Sequence, residues 1–326
     1  VKRDKPLNFG GIMNIAVVTG ATSMIGLAAV KELVKNNVKV YAVVREASPN
    51  IDRLKGIDNI EIVNCSLDSL SQLPQLIKRT DCDVFYHFAW GHTGAKRNDN
   101  LRYQTENISF TLDAVDAAYK LGCKKFIGAG SQAEYGVVNK PSISEETPVN
   151  PCTPYGVCKY AACKLALEQC KRYGIGCIWT RIFSVYGAYN KRSAMVPACI
   201  EKMLRGEDTD FTKGEQMWDY LYSKDIGRAF FLLGLYGRDN EVYNIGSGRA
   251  RPLYEYIQLI SKYTHNTARV NIGALPYGEN SVMQLCADIA KLSKHTGFVP
   301  EYTFERGIQE NIEFIKQQMG KDTNIQ

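Results

Sequence analysis

Asn14-Ile15-Ala16-Val17-Val18-Thr19-Gly20-Ala21-Thr22-Ser23-Met24-Ile25-Gly26 is the stretch on which the reading of this chain turns. Asn14–Thr19 is a short apolar run, Gly20 ends it, and Ile25–Asn36 then carries apolar residues at helical spacing. A strand turning directly into a helix leaves free backbone amides at the helix N-terminus, the place where a dinucleotide pyrophosphate is held. Gly20, Thr22, Ser23, Met24, Ile25 and Gly26 are therefore candidate cofactor-binding residues, against the plainer account of a tight turn with no ligand. Ser23 stands where a middle glycine is usual. Its side chain narrows the approach of backbone to phosphate, although its hydroxyl can itself bond a phosphate oxygen.

Outward from this turn, Val38–Val44, Ile60–Asn64, Asp83–Phe88, Lys125–Ala129 and Gly176–Ile182 read as further strands, with helical stretches around Leu70–Arg79, Asn107–Leu121 and Tyr155–Tyr173. Short apolar strands alternating with helices predict an α/β fold with a Rossmann-type, doubly wound parallel sheet whose ligands sit at the carboxyl ends of the strands. Residues 13–182 form this dinucleotide-binding domain, and the chain is expected to return to it around 223–250, where Val242–Ile245 and Gly246-Ser247-Gly248 read as one more strand and turn. Residues 183–222 and 251–320 are assigned to a smaller, mixed α/β substrate-binding lobe with helices at Leu253–Tyr263 and Phe304–Met319. Residues 1–12 look unlike the strand that follows and are read as a leader or appended remnant before Met13; the polar tail after Gly320 is expected to fray.

The 326 residues are 45% hydrophobic and 23% charged, as in soluble globular proteins. Net charge is +6, but Lys and Arg are scattered, which argues against nucleic acid as a partner and leaves at most a preference for an anionic substrate. The ten cysteines form no CxxC pair, and His87, His92, His265 and His295 stand apart from any cysteine cluster at metal spacing. They are read as reduced, mostly buried thiols, and no metal site is expected. With no apolar run of about 18 residues and no visible signal peptide, a cytoplasmic location without membrane attachment is expected.

Two local patterns carry chemistry. Tyr155 and Lys159 lie four apart in a predicted helix, so a phenol and an ammonium share one face. A free phenol has a pKa of about 10, and an adjacent cation stabilises the phenolate and brings proton exchange into the working range. At the end of the second strand an acid would bond the ribose of NAD, whereas a basic residue accommodates the extra phosphate of NADP. Arg45 follows Val44 and favours NADP(H), unless Arg45 faces solvent and Glu46 selects, which leaves NAD(H) possible. Asp68, after the third strand, is placed either to meet the adenine or to cap a helix.

TGATSMIG, HFAWG at the fourth strand, GSQAEYG after the fifth, YGVCK, and RIFSVYG after the sixth together resemble an extended short-chain dehydrogenase/reductase of the nucleotide-sugar epimerase, dehydratase and reductase branch, from Met13 to about Lys316. The resemblance implies that Tyr155 is the catalytic acid or base, that Lys159 bonds the nicotinamide ribose and lowers the tyrosine's pKa, and that Ser131 bonds the reacting sugar oxygen. It places Phe88 and Ala89 at the cofactor, Gln132 at the substrate, and Asn107 in a structural or relay role. Gln216–Asp225 resembles the segment leading back to the cofactor lobe, and Tyr243–Gly248 the signature near the nucleotide diphosphate of a nucleotide-sugar substrate. Arg181 and Arg249 are candidate phosphate contacts, since a guanidinium fork bonds two oxygens at once; Arg249 reads equally as a solvated loop residue. Cys158 points elsewhere on the helix and is read as packing.

In the family's 4,6-dehydratases the catalytic hydroxyl is followed by an Asp-Glu pair. Ser131 is followed by Gln132 and Ala133, with Glu134 one position late and expected to face differently, so dehydration is disfavoured. The main expectation is NADPH-dependent reduction of a nucleotide-linked 4-keto-6-deoxyhexose, with Tyr155 as proton donor, similar to reductases that finish deoxysugars for surface polysaccharides. The alternatives are a 4-epimerase holding NAD tightly and a non-catalytic NADP(H)-binding sensor or structural protein. The resemblance also implies a homodimer in which helices Asn107–Leu121 and Tyr155–Tyr173 pair with their mates as a four-helix bundle.

Overall fold

The computed structural model describes residues 12–94, 98–278 and 281–323, without the side chains of 321–323. Of the expected leader, 1–11 lie outside the described residues. Strands β1 (Ile15–Thr19), β2 (Lys39–Val44), β3 (Ile60–Asn64), β4 (Val84–His87), β5 (Lys125–Ala129) and β6 (Gly176–Ile182) appear where the apolar runs predict them, within a residue or so at each end. Ala16, Val17 and Val18 are wholly buried, which is why β1 reads as a continuous apolar run rather than an alternation. The turn after it is made for glycine. Gly20 has φ +68°, and a Cβ on Gly26 would come within 2.2 Å of the Gly20 carbonyl oxygen.

Helix α1 (Met24–Lys35) starts at Ser23, whose Oγ accepts from the Gly26 amide at 3.0 Å. The residue in the middle-glycine position is therefore the N-cap, and its hydroxyl hydrogen is left to donate. Leu70–Arg79 is not one helix: a 3₁₀ turn (Leu67–Gln72) leads into the short α2 (Leu73–Ile77), which stops at Lys78 with φ 54°. Helix α3 (Leu101–Lys120) begins six residues before the expected Asn107, because Asn100 caps it by accepting from the Arg102 and Tyr103 amides. Apolar periodicity does not mark that first polar turn. Helix α4 (Pro154–Tyr173) is capped by Thr153, has Pro154 in its first turn, and ends at Gly174 with φ 68°.

Beyond β6 come β7 (Ser184–Tyr186), α5 (Met195–Leu204), β8 (Thr209–Phe211), β9 (Met217–Tyr222), α6 (Ser223–Tyr236), β10 (Glu241–Ile245), β11 (Ala250–Pro252), α7 (Leu253–Thr264), β12 (Val270–Ile272), β13 (Gln284–Leu285), α8 (Ala290–Thr296) and α9 (Phe304–Thr323). The central sheet has seven parallel strands in the order β10-β6-β5-β4-β1-β2-β3, so the winding direction reverses between β1 and β4. Leu27, Val30 and Leu33 of α1 join Ile226, Phe230 and Leu233 of α6 in the core on one face; Ala114, Ala118, Ala162 and Ala166 of α3 and α4 join the core on the other. Helices α5, α7 and α9 enclose a separate cluster of Ile200, Ile257, Ile308 and Ile312. Buried Asp219 of β9 accepts from the amides of Ser247 (2.8 Å), Gly248 (3.0 Å) and Ala287 (3.1 Å), tying that lobe to the turn after β10. Among the described residues no helix is long and apolar enough to cross a membrane.

Candidate active site

The carboxyl ends of β1, β2, β4, β5 and β6 open into one cavity of about 1030 Å³, at the reversal point where a doubly wound sheet offers its crevice. Gly20, Thr22, Ser23, Met24 and Ile25 line it, with Arg45, Phe88 and Ala89 from the ends of β2 and β4. Gly26 lies beneath, supplying the close packing rather than a wall. A turn with no room for a Cβ and the open amide end of α1 fits a dinucleotide diphosphate. Arg45 faces this cavity, whereas Glu46 is exposed and does not line it. Asp68 is not the helix cap and does not line the cavity: it is exposed, inside the first turn of the 3₁₀ helix that Ser66 precedes, and receives a hydrogen bond from Ser69 Oγ. Cys65, Leu67 and Leu70 form the wall there.

Ser131, Tyr155 and Lys159 line the same cavity. Ser131 caps a 3₁₀ turn (Gln132–Tyr135), its Oγ accepting from the Ala133 amide at 3.1 Å. Lys159 is almost wholly buried, donates to the Ala129 carbonyl at 2.5 Å, and lies 5.9 Å from the Tyr155 ring centre. Burial lowers its pKa to about 7, opposed in part by the negative charge of Glu134. Asn107 acts structurally. Its Oδ1 accepts from the Gly91 amide at 2.6 Å and its Nδ2 donates to the Gly91 carbonyl at 3.3 Å, pinning the loop after β4.

Three sequence-assigned substrate residues lie away from this cavity. Arg181 is buried, its Nε 3.0 Å from Glu134 Oε2 and its guanidinium stacked on Tyr135, so it serves the core and not a phosphate. Arg249 is exposed on the turn after β10, and Gln132 is half-buried; neither contributes to the cavity wall. The Gly246-Ser247-Gly248 turn is likewise absent from that wall. Lys191 and Arg192, after β7, line it instead, with Lys191 Nζ 2.9 Å from Thr93 Oγ1 and Arg192 paired to Glu201 at 3.4 Å. Among the described residues, a cavity wall bearing Arg45, Arg53, Lys159, Lys191 and Arg192 against the single acid Glu201 suits anionic ligands.

Sequence reasoning does not single out Arg53 or Tyr189. Arg53 Nη1 donates to the Thr22 carbonyl at 2.8 Å, and its guanidinium lies 4.6 Å from the Tyr189 ring centre. Tyr189 has φ 65°, costly for an aromatic residue, and packs edge-on against Phe314 of α9 at 4.7 Å. These contacts join the phosphate turn to the last helix across the cavity. Their only sequence signal is a glycine, Gly187, two residues before a tyrosine.

The cavity thus brings the glycine turn at the N-terminus of α1 together with Ser131 and with a tyrosine and a lysine four apart on α4. The chain belongs to the NAD dependent epimerase/dehydratase family, whose model matches residues 16–246. Among solved structures it is similar to UDP-glucose 4-epimerase of Thermotoga maritima determined with UDP-glucose (27% identity, TM-score 0.84, covering 94% of this chain and 100% of that one). It is similar also to UDP-glucuronic acid 4-epimerase of Bacillus cereus determined with NAD (26%, TM-score 0.80, 94% and 99%). UDP-N-acetyl-alpha-D-glucosaminuronate decarboxylase of Bacillus cytotoxicus is 26% identical over 318 residues, covering 92% of this chain and 97% of the relative.

Proposed function

We propose that this protein is a nucleotide-sugar 4-epimerase that retains NAD, with Ser131, Tyr155 and Lys159 as its catalytic residues. The observation that carries the reading is the single cavity that joins the phosphate turn to all three residues, in a chain that follows two solved 4-epimerases over 94% of its length. When bound, NAD supplies the two-electron acceptor and donor for the sugar carbon. Tyr155 Oη takes the proton of the 4-hydroxyl as that carbon is oxidised and gives it back to the same oxygen when the ketone is reduced from its opposite face. Ser131 Oγ donates to the same oxygen, and the Lys159 ammonium stabilises the phenolate. Lys191 and Arg192 are placed to meet the diphosphate of the nucleotide sugar, the role the sequence assigns to Arg181 and Arg249. The Arg53–Tyr189 contact across the cavity supports retention of the cofactor between the two half-reactions.

NADPH-dependent 4-ketoreduction stands second, favoured by Arg45 in the cavity wall. One experiment separates the two: protein purified without added cofactor is denatured, its nucleotides are quantified, and fresh protein is incubated with a panel of UDP-sugars. Near-stoichiometric NAD and interconversion of 4-epimers without added nicotinamide are expected. An empty site, no epimerisation, and NADPH oxidation by a nucleotide 4-keto sugar would replace this reading with the reductase.

We also infer a homodimer through α3 and α4, which expose Leu101, Tyr103, Tyr119, Val157 and Leu165. Light scattering behind size exclusion is expected to give twice the 36.5 kDa chain mass, falling toward one with Val157→Glu and Leu165→Glu together; a monomeric wild type would refute it.

A further inference from the structure

Lys159 is buried in a place with no counter-ion among the described residues. Among the described residues no carboxylate lies within ion-pairing distance of its amine, and its hydrogen-bond acceptor is a neutral carbonyl. Glu134, the acid whose charge acts on Lys159, is already engaged: Oε1 accepts from the Ser131 amide and Trp179 Nε1, each at 2.9 Å, and Oε2 from Arg181 Nε. His87 of β4 bonds Thr19 Oγ1 through Nδ1, and burial beside the Lys159 charge lowers it to about 3, so its ring is neutral at working pH. On its own helix the titratable neighbours are Tyr155, one turn earlier, and Cys163, whose buried thiol is pushed above its ordinary range and stays protonated.

What does face the amine is an indole. Lys159 Nζ lies 3.6 Å from the Trp90 ring centre, at contact distance over the electron-rich face. The ring is held in that orientation. Trp90 Nε1 donates to Gln104 Oε1 at 2.9 Å, fully buried Gln104 donates in turn to the His92 carbonyl at 3.0 Å, and the Gly91 amide is fixed by Asn107. The same indole meets the Tyr155 ring edge-to-face at 6.1 Å. Trp90 thus touches both members of the acid–base pair, from a loop that α3 locks in place.

We propose that Trp90 is a positioning residue that holds the Lys159 ammonium against its face, and so keeps the positive charge beside Tyr155. This rests on the acid–base reading of Tyr155 and Lys159 only for its consequence; the contact itself needs no substrate. An indole suits the place because it stabilises a cation without adding a negative charge. A carboxylate there would draw the lysine into an ion pair and repel the phenolate that the lysine must stabilise.

The test reads Lys159 directly. The full-length protein as purified is labelled with trace acetic anhydride from about pH 6 to about pH 10, spanning the ranges of neighbouring imidazoles and free lysines. The Lys159 peptide is then quantified by mass spectrometry against an exposed lysine such as Lys171. Trp90→Leu, which keeps apolar bulk without the π face, is expected to lower the Lys159 titration midpoint by about one pH unit, or about tenfold in the charged-to-neutral ratio. Trp90→Phe is expected to fall between, and Lys171 to stay put. A Trp90→Leu midpoint equal to or above wild type overturns the proposal. Should Trp90→Leu not fold by circular dichroism, Trp90→Phe decides, an unchanged midpoint counting against. Loss of epimerase activity in every protein, wild type included, would defeat the functional reading and leave this result standing.

Discussion

Tyr155→Phe is expected to lower turnover of the 4-epimer substrate by roughly 10²–10⁴-fold, the usual weight of a positioned proton-transfer group. Removing one oxygen leaves the ring in its edge-to-face contact with Trp90 and the helix cap at Thr153 intact, so the loss should fall on kcat with KM little changed. Bound NAD should remain, since the phosphate turn and Arg45 lie elsewhere in the cavity. Chromatographic assay of the UDP-sugar pair in wild type and variant checks this. A variant that retains most of its turnover would show that another group moves the proton. A wild type that binds NAD yet turns over no sugar would favour the non-catalytic reading that the motif alone leaves open.

Glu134→Ala should destabilise the protein by about 3–5 kcal/mol, since removing one partner of a buried pair leaves the other charged and dry. Glu134 is fully buried and joins three donors, the Ser131 amide, Trp179 Nε1 and Arg181 Nε, so truncation orphans all of them. Urea denaturation of both proteins measures it, and a loss below about 1 kcal/mol would mean that water or rearrangement replaces the carboxylate. Because the same carboxylate completes the capping box that sets Ser131, activity should fall along with stability. This explains the displaced acid in GSQAEYG. One position beyond a dehydratase-like pair, Glu134 turns into the core and works as a structural organiser rather than lining the cavity beside Ser131.

Which features are legible in sequence follows from range. β1, the Gly20 turn and α1 are decided by neighbours: a fully apolar run, a backbone that tolerates no Cβ, and a hydroxyl three residues before the amide it caps. Tyr155 and Lys159 are legible because four residues is one helical turn. The start of α3 lies six residues earlier than periodicity predicts, because its first turn is polar and only the Asn100 cap marks it. Arg45 alone favours NADP(H), and the wall does hold Arg45, but the likeness to 4-epimerases weighs toward NAD.

The sequence by itself determined the parallel α/β layering, the glycine turn before α1 and the tyrosine and lysine on one helix face, because each depends on hydrogen bonds and side-chain spacing within about one turn or one strand. Tertiary structure alone decided the employment of the charged and aromatic side chains. Arg181 is free for phosphate until a carboxylate 47 residues away claims it, Asp68 is a cavity candidate until the fold turns Leu67 and Leu70 of the same 3₁₀ helix to the cavity wall instead, and Trp90 is part of a motif until Lys159 comes to rest on its face. The reason is physical: a side chain's partner and its exposure are set by what the folded chain packs beside it, and local sequence does not contain that information.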